Sequence, residues 1–484
     1  MTFGSIALLL FDLALLQLAL GLVLERRNPA ATWFWLLVLF FAPIFGLPLY
    51  LLVGRAPVRR TVRRHGQRLR AQRAALRTLA QRVDPNCERE ALFSFEPLAN
   101  LVVGVGGSAP RLGHRVHWIQ DGPELVSRMR AALRGATRYA YFETYIFEDG
   151  DSGRALREEL EAAARRGVEV RLLCDAVGSS SLASDYFAAI EELGGRVEWF
   201  APLRFWKKRR RPDLRNHRKV LVVDGREAFV GGFNVSDEYV RSDRPRRPWR
   251  DTHAHIQGPA ALDLEALFLE SWAIATGEVD DAHAAEAALQ ILGAGDGGER
   301  GCAVQVLAGG PEEDWPRLEL AYLASIHAAR ARLDIATPYF VPSESVCSAL
   351  AGAALRGVHV RLLLPAPEAN DVRLVSWASR SYYADMLDAG VRIFEYGPRM
   401  HHAKTLVADG LLSFIGTANL DMRSLRLNYE IATLVYDPAA AAELEESFEV
   451  DLRSAQEISA AELAGWSRFQ RLRNAFARLL SPLL

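Results

Sequence analysis

Cysteine is scarce. Four residues (Cys87, Cys174, Cys302 and Cys347) are scattered through 484 positions in no paired or metal-like spacing. That excludes a disulfide framework and a zinc site, and it suits free thiols in a reducing compartment. No cluster of carboxylates marks a metal site either, so neither metal nor cofactor is expected. The amino terminus lacks the basic segment of a cleaved signal peptide. Acidic residues are absent from 55–77, where Arg55, Arg59, Arg60, Arg63, Arg64, Arg68, Arg70, Arg73 and Arg77 follow one another. The net charge of −1 hides that asymmetry. What the chain has in quantity is apolar residue: 50% is hydrophobic and 24% charged, ample for a core and for two to four domains.

Two apolar runs open the chain. The first spans 3–24 and is interrupted only by Asp12 and Gln17; the second spans 33–53. About 20 apolar residues cross a hydrocarbon core, so residues 1–54 are expected to form a two-helix transmembrane hairpin. Trp33, Trp35 and Tyr50 are placed as interfacial anchors, and Pro43 and Pro48 are expected to kink the second helix. The loop between the runs offers only Arg26 and Arg27, against the arginine-rich stretch that follows them. The positive-inside rule then places the rest of the chain in the cytoplasm of a cell-membrane protein. Residues 55–110 read as a basic juxtamembrane helix and linker lying on an anionic membrane surface.

From residue 111 onward strands alternate with helices, and the order occurs twice. Strands are expected at 116–119, 138–147, 168–173, 197–200, 220–223 and 228–230, with helices at 123–134 and 154–166. The second series has strands at 303–307, 333–340, 358–363 and 391–394, with a helix at 315–329. Alternation of this kind predicts an α/β fold with a mixed or mainly parallel sheet covered on both faces. The halves are 111–280 and 301–484, joined by a linker at 281–300.

Each half carries the same motif. Asn216-His217-Arg218-Lys219 leads to Asp224 and then Gly231-Gly232-Phe233-Asn234; 185 residues on, His402-Ala403-Lys404 leads to Asp409 and Gly416-Thr417-Ala418-Asn419. One His-x-Lys means little, but two at matched spacing in two similar halves imply one shared site on a pseudo-two-fold axis. On an extended strand residues i and i+2 share a side, so two histidines and two lysines would surround one small anion. Asn234 and Asn419 add amide donors, completing a phosphate cage. One histidine attacks phosphorus while the other, protonated, supplies the leaving alkoxide with a proton. Asp251 and Glu430 are the candidates for fixing the two imidazole tautomers. Asp224 and Asp409 complete the catalytic set but lie beyond the apolar runs, where bracing the lysine strand is the expected task. His401 is expected to point to the other face, and His253 and His255 to be structural.

The motif resembles the signature of the phospholipase D superfamily, and within it the chain is most similar to bacterial cardiolipin synthases. The similarity includes residues 25–32, 50–55, 337–342 and 416–424, and the stretch Asn428-Tyr429-Glu430-Ile431. It implies two tandem phospholipase D-like α/β/α domains behind the hairpin. It also implies transfer of a phosphatidyl group between two phosphatidylglycerol molecules, giving cardiolipin and glycerol through a phosphohistidine. By that resemblance His217 attacks, His402 serves as acid and base, Glu430 orients His217 and Asp251 orients His402. Basic stretches at 205–211 and 241–250 would hold the mouth on an anionic bilayer. A hydrolase of the same fold, a nucleic-acid phosphodiesterase and a non-catalytic scaffold are the rivals. The apolar runs argue for lipid, so no nucleic acid is expected, and two intact motifs argue against a scaffold. The tail from Trp466 to Leu480 has apolar residues at helical spacing among arginines, suited to a membrane interface or to its own domain.

Overall fold

The structure is a computed structural model. It describes residues 3–24, 29–50, 90–202, 214–241, 248–278, 301–313 and 315–481. The chain divides into two compact units, residues 1–68 and 69–484.

The first unit contains a 22-residue helix, Phe3–Leu24, then Pro29–Phe41 and Pro43–Leu49. The second apolar run breaks at Ala42, whose φ of −139° leaves the helical region immediately before Pro43. A proline ring disfavours the α conformation in the residue ahead of it. Pro48, by contrast, stays inside the last short helix. The 13-residue arm Pro29–Phe41 rises about 20 Å, short of a hydrocarbon core of about 30 Å. Leu22, Leu39 and Tyr50 form a small core between the helices. The side chains of residues 3–12 and 14 lie outside the described set, and among the described residues no helix is long and apolar enough to cross a membrane. The spanning hairpin expected from sequence is therefore not established. The arginine-rich stretch, the basic stretch 205–211 and the linker 281–300 also lie outside the described residues.

The second unit is built on one sheet. Its strands are β1 (Arg111–Ile119), β2 (Tyr139–Thr144), β3 (Glu169–Asp175), β4 (Arg196–Phe200), β5 (Val220–Val223), β6 (Glu227–Gly231) and β7 (His253–Gln257) in the first half. The second half supplies β8 (Cys302–Gly309), β9 (Arg332–Ala336), β10 (Phe340–Val341), β11 (His359–Pro365), β12 (Arg392–Tyr396), β13 (Thr405–Ala408), β14 (Leu412–Gly416), β15 (Leu420–Asp421), β16 (Glu430–Tyr436) and β17 (Ala455–Ile458). Fifteen of them join in the order β17-β12-β11-β9-β13-β14-β16-β8-β1-β7-β6-β5-β2-β3-β4; β10 and β15 pair separately. Reading outward from the centre, β1-β7-β6-β5-β2-β3-β4 has the same order as β8-β16-β14-β13-β9-β11-β12. The halves meet where β1 pairs antiparallel with β8, so they share one sheet and do not stand as separate bodies.

The sheet is mixed. Helical crossovers leave β2, β3 and β4 parallel, as they do β9, β11 and β12. Short turns make β5–β6 and β13–β14 antiparallel hairpins. Side chains alternate between faces, as the period-2 pattern requires. Phe142, Leu172 and Leu221 pack beneath the helices Gly122–Gly135 and Asp151–Arg165. On the other face Val220 and Val222 pack under the helix Ala260–Thr276 with Leu264, in a cluster that also takes in Leu444 of the helix Pro438–Leu452. Within 55–110, read from sequence as a basic helix and linker, lie the helices Glu90–Ser94 and Glu96–Val105. Leu98 and Val102 enter the second half's core beside Leu307 and Leu318.

Candidate active site

The two His-x-Lys segments do not lie on strands as expected. Each runs extended just before one: β5 starts at Val220 and β13 at Thr405. Their backbone partners come from the opposite half. Asn216 forms an isolated parallel bridge with Tyr429, and Arg250 with His401. His217 N donates to Tyr429 O at 3.0 Å, and His402 N donates to Arg250 O at 2.6 Å. Each motif is thus laced to the residue preceding the carboxylate its histidine uses. Glu430 accepts from His217 Nδ1 at 2.9–3.0 Å, and Asp251 from His402 Nδ1 at 2.6 Å. Both pairings cross the halves.

Lys219 Nζ donates to the carbonyl of His217 at 2.7 Å, and Lys404 Nζ to that of His402 at 2.6 Å. Both ammonium groups are buried. Burial pulls Lys219 down to about 7 and Lys404 to about 8, although Glu430 and Asp251 favour the charged forms of both. Lys404 also acts on Lys219 and on His217, so the two motifs share one electrostatic site. Burial also lowers both histidines, His402 the further, with both lysines adding to its shift. Asn234 Nδ2 donates to the Tyr239 hydroxyl at 3.3 Å, and the buried Oδ1 atoms of Asn234 and Asn419 have no hydrogen-bond partner. An unsatisfied buried acceptor of this kind is completed by a donor, such as a ligand hydroxyl.

The dyads differ. Glu430 also accepts from Thr417 Oγ1 and, at 3.4 Å, from Asn428 Nδ2. Burial pushes its carboxyl up, but His217, Lys219 and Thr417 more than offset this and hold it below its ordinary value. Asp251 accepts from the Thr252 N–H at 2.7 Å, and burial leaves it raised despite Lys404. Gly232 occupies the place of Thr417 in the first half, and a Cβ there would stand 2.2 Å from Asp251 Oδ1. Only glycine fits beside the shorter carboxylate. Around His402 the Tyr239 hydroxyl lies 3.1 Å from Nδ1 and the Trp249 ring 5.4 Å away; Tyr145 packs edge-on to His217 at 4.9 Å. Sequence reasoning missed Tyr239, Trp249 and Tyr145. The one local signal was the Gly-Gly against Gly-Thr difference.

Asp224 and Asp409 are not in the site. Asp224 accepts from the backbone N–H groups of Thr137, Arg138 and Tyr139, at 3.0, 2.8 and 2.9 Å. Asp409 does the same for Arg330, Ala331 and Arg332 at 2.8–2.9 Å. Both occupy left-handed backbone, φ 53° and 54°, followed by Gly225 and Gly410, in tight hairpin turns. They brace the strand that follows each lysine against the start of its neighbour, which removes them from the catalytic set. His401 is buried and pairs with Asp451 at 3.1 Å. Arg250, expected among membrane-facing arginines, is buried too. Its guanidinium reaches Asp451, Ser447 and Thr252. His255 pairs with Glu227 at 2.7 Å, and burial pulls His253 down to about 3. Among the described residues no group of histidine, cysteine and carboxylate side chains could hold a metal.

Comparison with known proteins agrees with this geometry. The family described as "Cardiolipin synthase, PLD-like domain" matches residues 129–244 and 322–452, and "Phospholipase D-nuclease N-terminal" matches 7–55. The chain is 37% identical over 476 residues to a cardiolipin synthase of Geobacillus kaustophilus, covering 98% of this chain and 93% of the relative. It is 33% identical over 493 residues to the major cardiolipin synthase ClsA of Bacillus subtilis, covering all of both chains. A phosphatidylserine synthase structure from Haemophilus influenzae shares the fold, with a TM-score of 0.61 at 15% identity over 81% of this chain and all of that one. The chain belongs to the phospholipase D-like cardiolipin synthase family.

Proposed function

We propose that this protein is a phosphatidyltransferase that joins two phosphatidylglycerol molecules into cardiolipin and releases glycerol. The observation that carries this reading is the pair of crossed dyads, His217–Glu430 and His402–Asp251, in a site with two buried lysines. His217 Nε2 attacks the phosphorus of the first lipid, and the bond to glycerol oxygen breaks as His402 protonates that oxygen. His402 then takes the proton from a hydroxyl of the second lipid, whose oxygen displaces His217 from phosphorus. Lys219, Lys404, Asn234 and Asn419 hold the phosphoryl oxygens and need no metal partner for that task.

Two observations favour His217 as the nucleophile. Its side chain is 12% exposed against 7% for His402. Its partner Glu430 is held as the anion by three donors, which suits the histidine that becomes positively charged when bonded to phosphorus. The proposal extends to location: the amino-terminal unit seats in the cell membrane as a hairpin, with the catalytic body on the cytoplasmic side. Its support is the pair of apolar runs, the arginine bias after them, and the outward-facing Trp33, Phe40, Phe41, Ile44 and Phe45.

The test is incubation with labelled phosphatidylglycerol and analysis of the lipid products. Cardiolipin with glycerol is expected, whereas phosphatidic acid alone would make the enzyme a hydrolase. His217→Ala and His402→Ala should each abolish turnover, and substantial residual activity in either would overturn the two-histidine scheme.

A further inference from the structure

The helix Arg468–Leu479 has its binary pattern turned inside out. Phe469, Leu472, Phe476 and Leu479 recur at spacings of three and four, which sets them on one stripe. In a helix packed on its own domain that stripe would face the core. Here Asn474 and Ala477 face inward, while Phe469 and Leu479 are each 73% exposed and Leu472 and Phe476 more than half exposed. The inward side docks through other chemistry: Arg473 lies over the Trp377 ring at 4.7 Å, and Arg478 over Tyr382 at 4.4 Å. A capping box from Ser467 and Gln470 secures the first turn. The helix is held firmly by its polar side and leaves a contiguous apolar stripe in water, an arrangement that marks an interaction surface.

Charge and position select the partner. Trp466 to Leu480 contains no acidic residue, and of its arginines Arg473 and Arg478 dock on the domain while Arg468 and Arg471 stand free of those ring contacts. An apolar stripe flanked by arginines is complementary to an anionic lipid surface. The helix packs along Arg373–Arg380, which begins directly after Asp371 and the exposed Val372. Asp371 accepts from the Tyr339 hydroxyl at 2.9 Å and acts electrostatically on Lys404. The helix that supports the stripe therefore begins at the rim of the catalytic site.

We propose that the helix Arg468–Leu479 lies in the headgroup layer of an anionic bilayer, stripe downward, and holds the site against the surface that carries its substrate. This rests on the lipid-substrate reading above. Because an amino-terminal anchor would keep the protein on vesicles in any case, binding alone is uninformative and lipid contact must be read at the helix itself. Full-length protein carrying a benzophenone amino acid at Phe469 or Phe476, reconstituted in phosphatidylglycerol vesicles, should form lipid adducts on irradiation. The same group at Leu355, an equally exposed apolar residue on another helix, should not. Cross-links to a second copy or to another segment of this chain, no adduct, or equal adducts at Leu355 would each overturn the proposal.

A second measurement reads the consequence. Replacing Phe469, Leu472, Phe476 and Leu479 together by serine changes only exposed side chains. It should lower turnover on vesicles by about tenfold or more, by loss of buried apolar area, while turnover of dispersed short-chain phosphatidylglycerol stays within about twofold of wild type. Unchanged turnover on vesicles, or an equal loss on both substrates, would overturn it. Should the wild-type protein make no cardiolipin from either substrate, the functional reading fails, and the cross-link still reports independently on lipid contact.

Discussion

Substrate binding should take up protons, and the share taken up by the two lysines should rise with pH. Burial lowers Lys219 to about 7 and Lys404 to about 8 in the empty site. Raising pH through those values therefore removes their charge. A phosphodiester anion between them favours the charged forms and lifts both values well above the working range. At pH 8 binding should then recruit about 0.9 of a proton at Lys219 and about 0.5 at Lys404; at pH 6 it should recruit about 0.1 at Lys219 and almost none at Lys404. The linked consequence is that affinity falls about tenfold between pH 7 and pH 8 through the lysines alone. The assay is titration calorimetry with a short-chain phosphatidylglycerol analogue whose leaving oxygen is a methylene group, so that no turnover occurs. Enthalpies in buffers of different ionisation heat give the proton count. Lys219→Gln should remove about 0.9 of a proton at pH 8 and about 0.1 at pH 6. The same anion also favours protonated His402, so the lysine share is read from the difference, and uptake at pH 8 unaltered by Lys219→Gln would refute the reasoning.

Two further outcomes follow from the geometry. Gly232→Ala places a Cβ 2.2 Å from Asp251 Oδ1; it should displace the carboxylate from His402 and lower kcat about 100-fold or more, with melting temperature within a few degrees of wild type, and near-normal kcat would contradict the contact. Asp224→Ala strips the acceptors from the backbone N–H groups of Thr137, Arg138 and Tyr139 and leaves alanine in left-handed backbone. It should destabilise the fold by about 3 kcal/mol in denaturant titration, leave the specific activity of the folded fraction within about twofold, and be milder as Asp224→Asn, which tolerates that backbone.

Much of the second unit was legible because its signals are local. The apolar run 220–223 reads as a strand, and the Gly-Val-x-Val-Arg-Leu-Leu repeat at 167–173 and 357–363 exposes the duplication. The same local chemistry was under-read at Asp224-Gly225 and Asp409-Gly410. Asp-Gly between two apolar runs is a hairpin signal, and it assigns both aspartates to turns. Residues 90–105 carry no repeat signal, and their partners, Leu307 and Leu318, lie over 200 residues away. Arg250 looked like a surface charge for the same reason: Asp451 and Ser447, which bury it, are in the other half.

The sequence by itself determined which residues could do the chemistry. Two histidines, two lysines and two candidate carboxylates follow from residue type and spacing, since a repeated motif needs no knowledge of distant contacts. Tertiary structure decided what each of them touches. It joined the halves through β1 and β8, laced Asn216 to Tyr429 and Arg250 to His401, and so gave each histidine a carboxylate from the opposite half. It also set the dyads apart, with Thr417 beside Glu430 and Gly232 beside Asp251. The physical reason is the sequence separation of the partners, 213 residues for His217–Glu430 and 151 for His402–Asp251. No local pattern encodes a hydrogen bond across such a span; only the shared sheet brings its ends together.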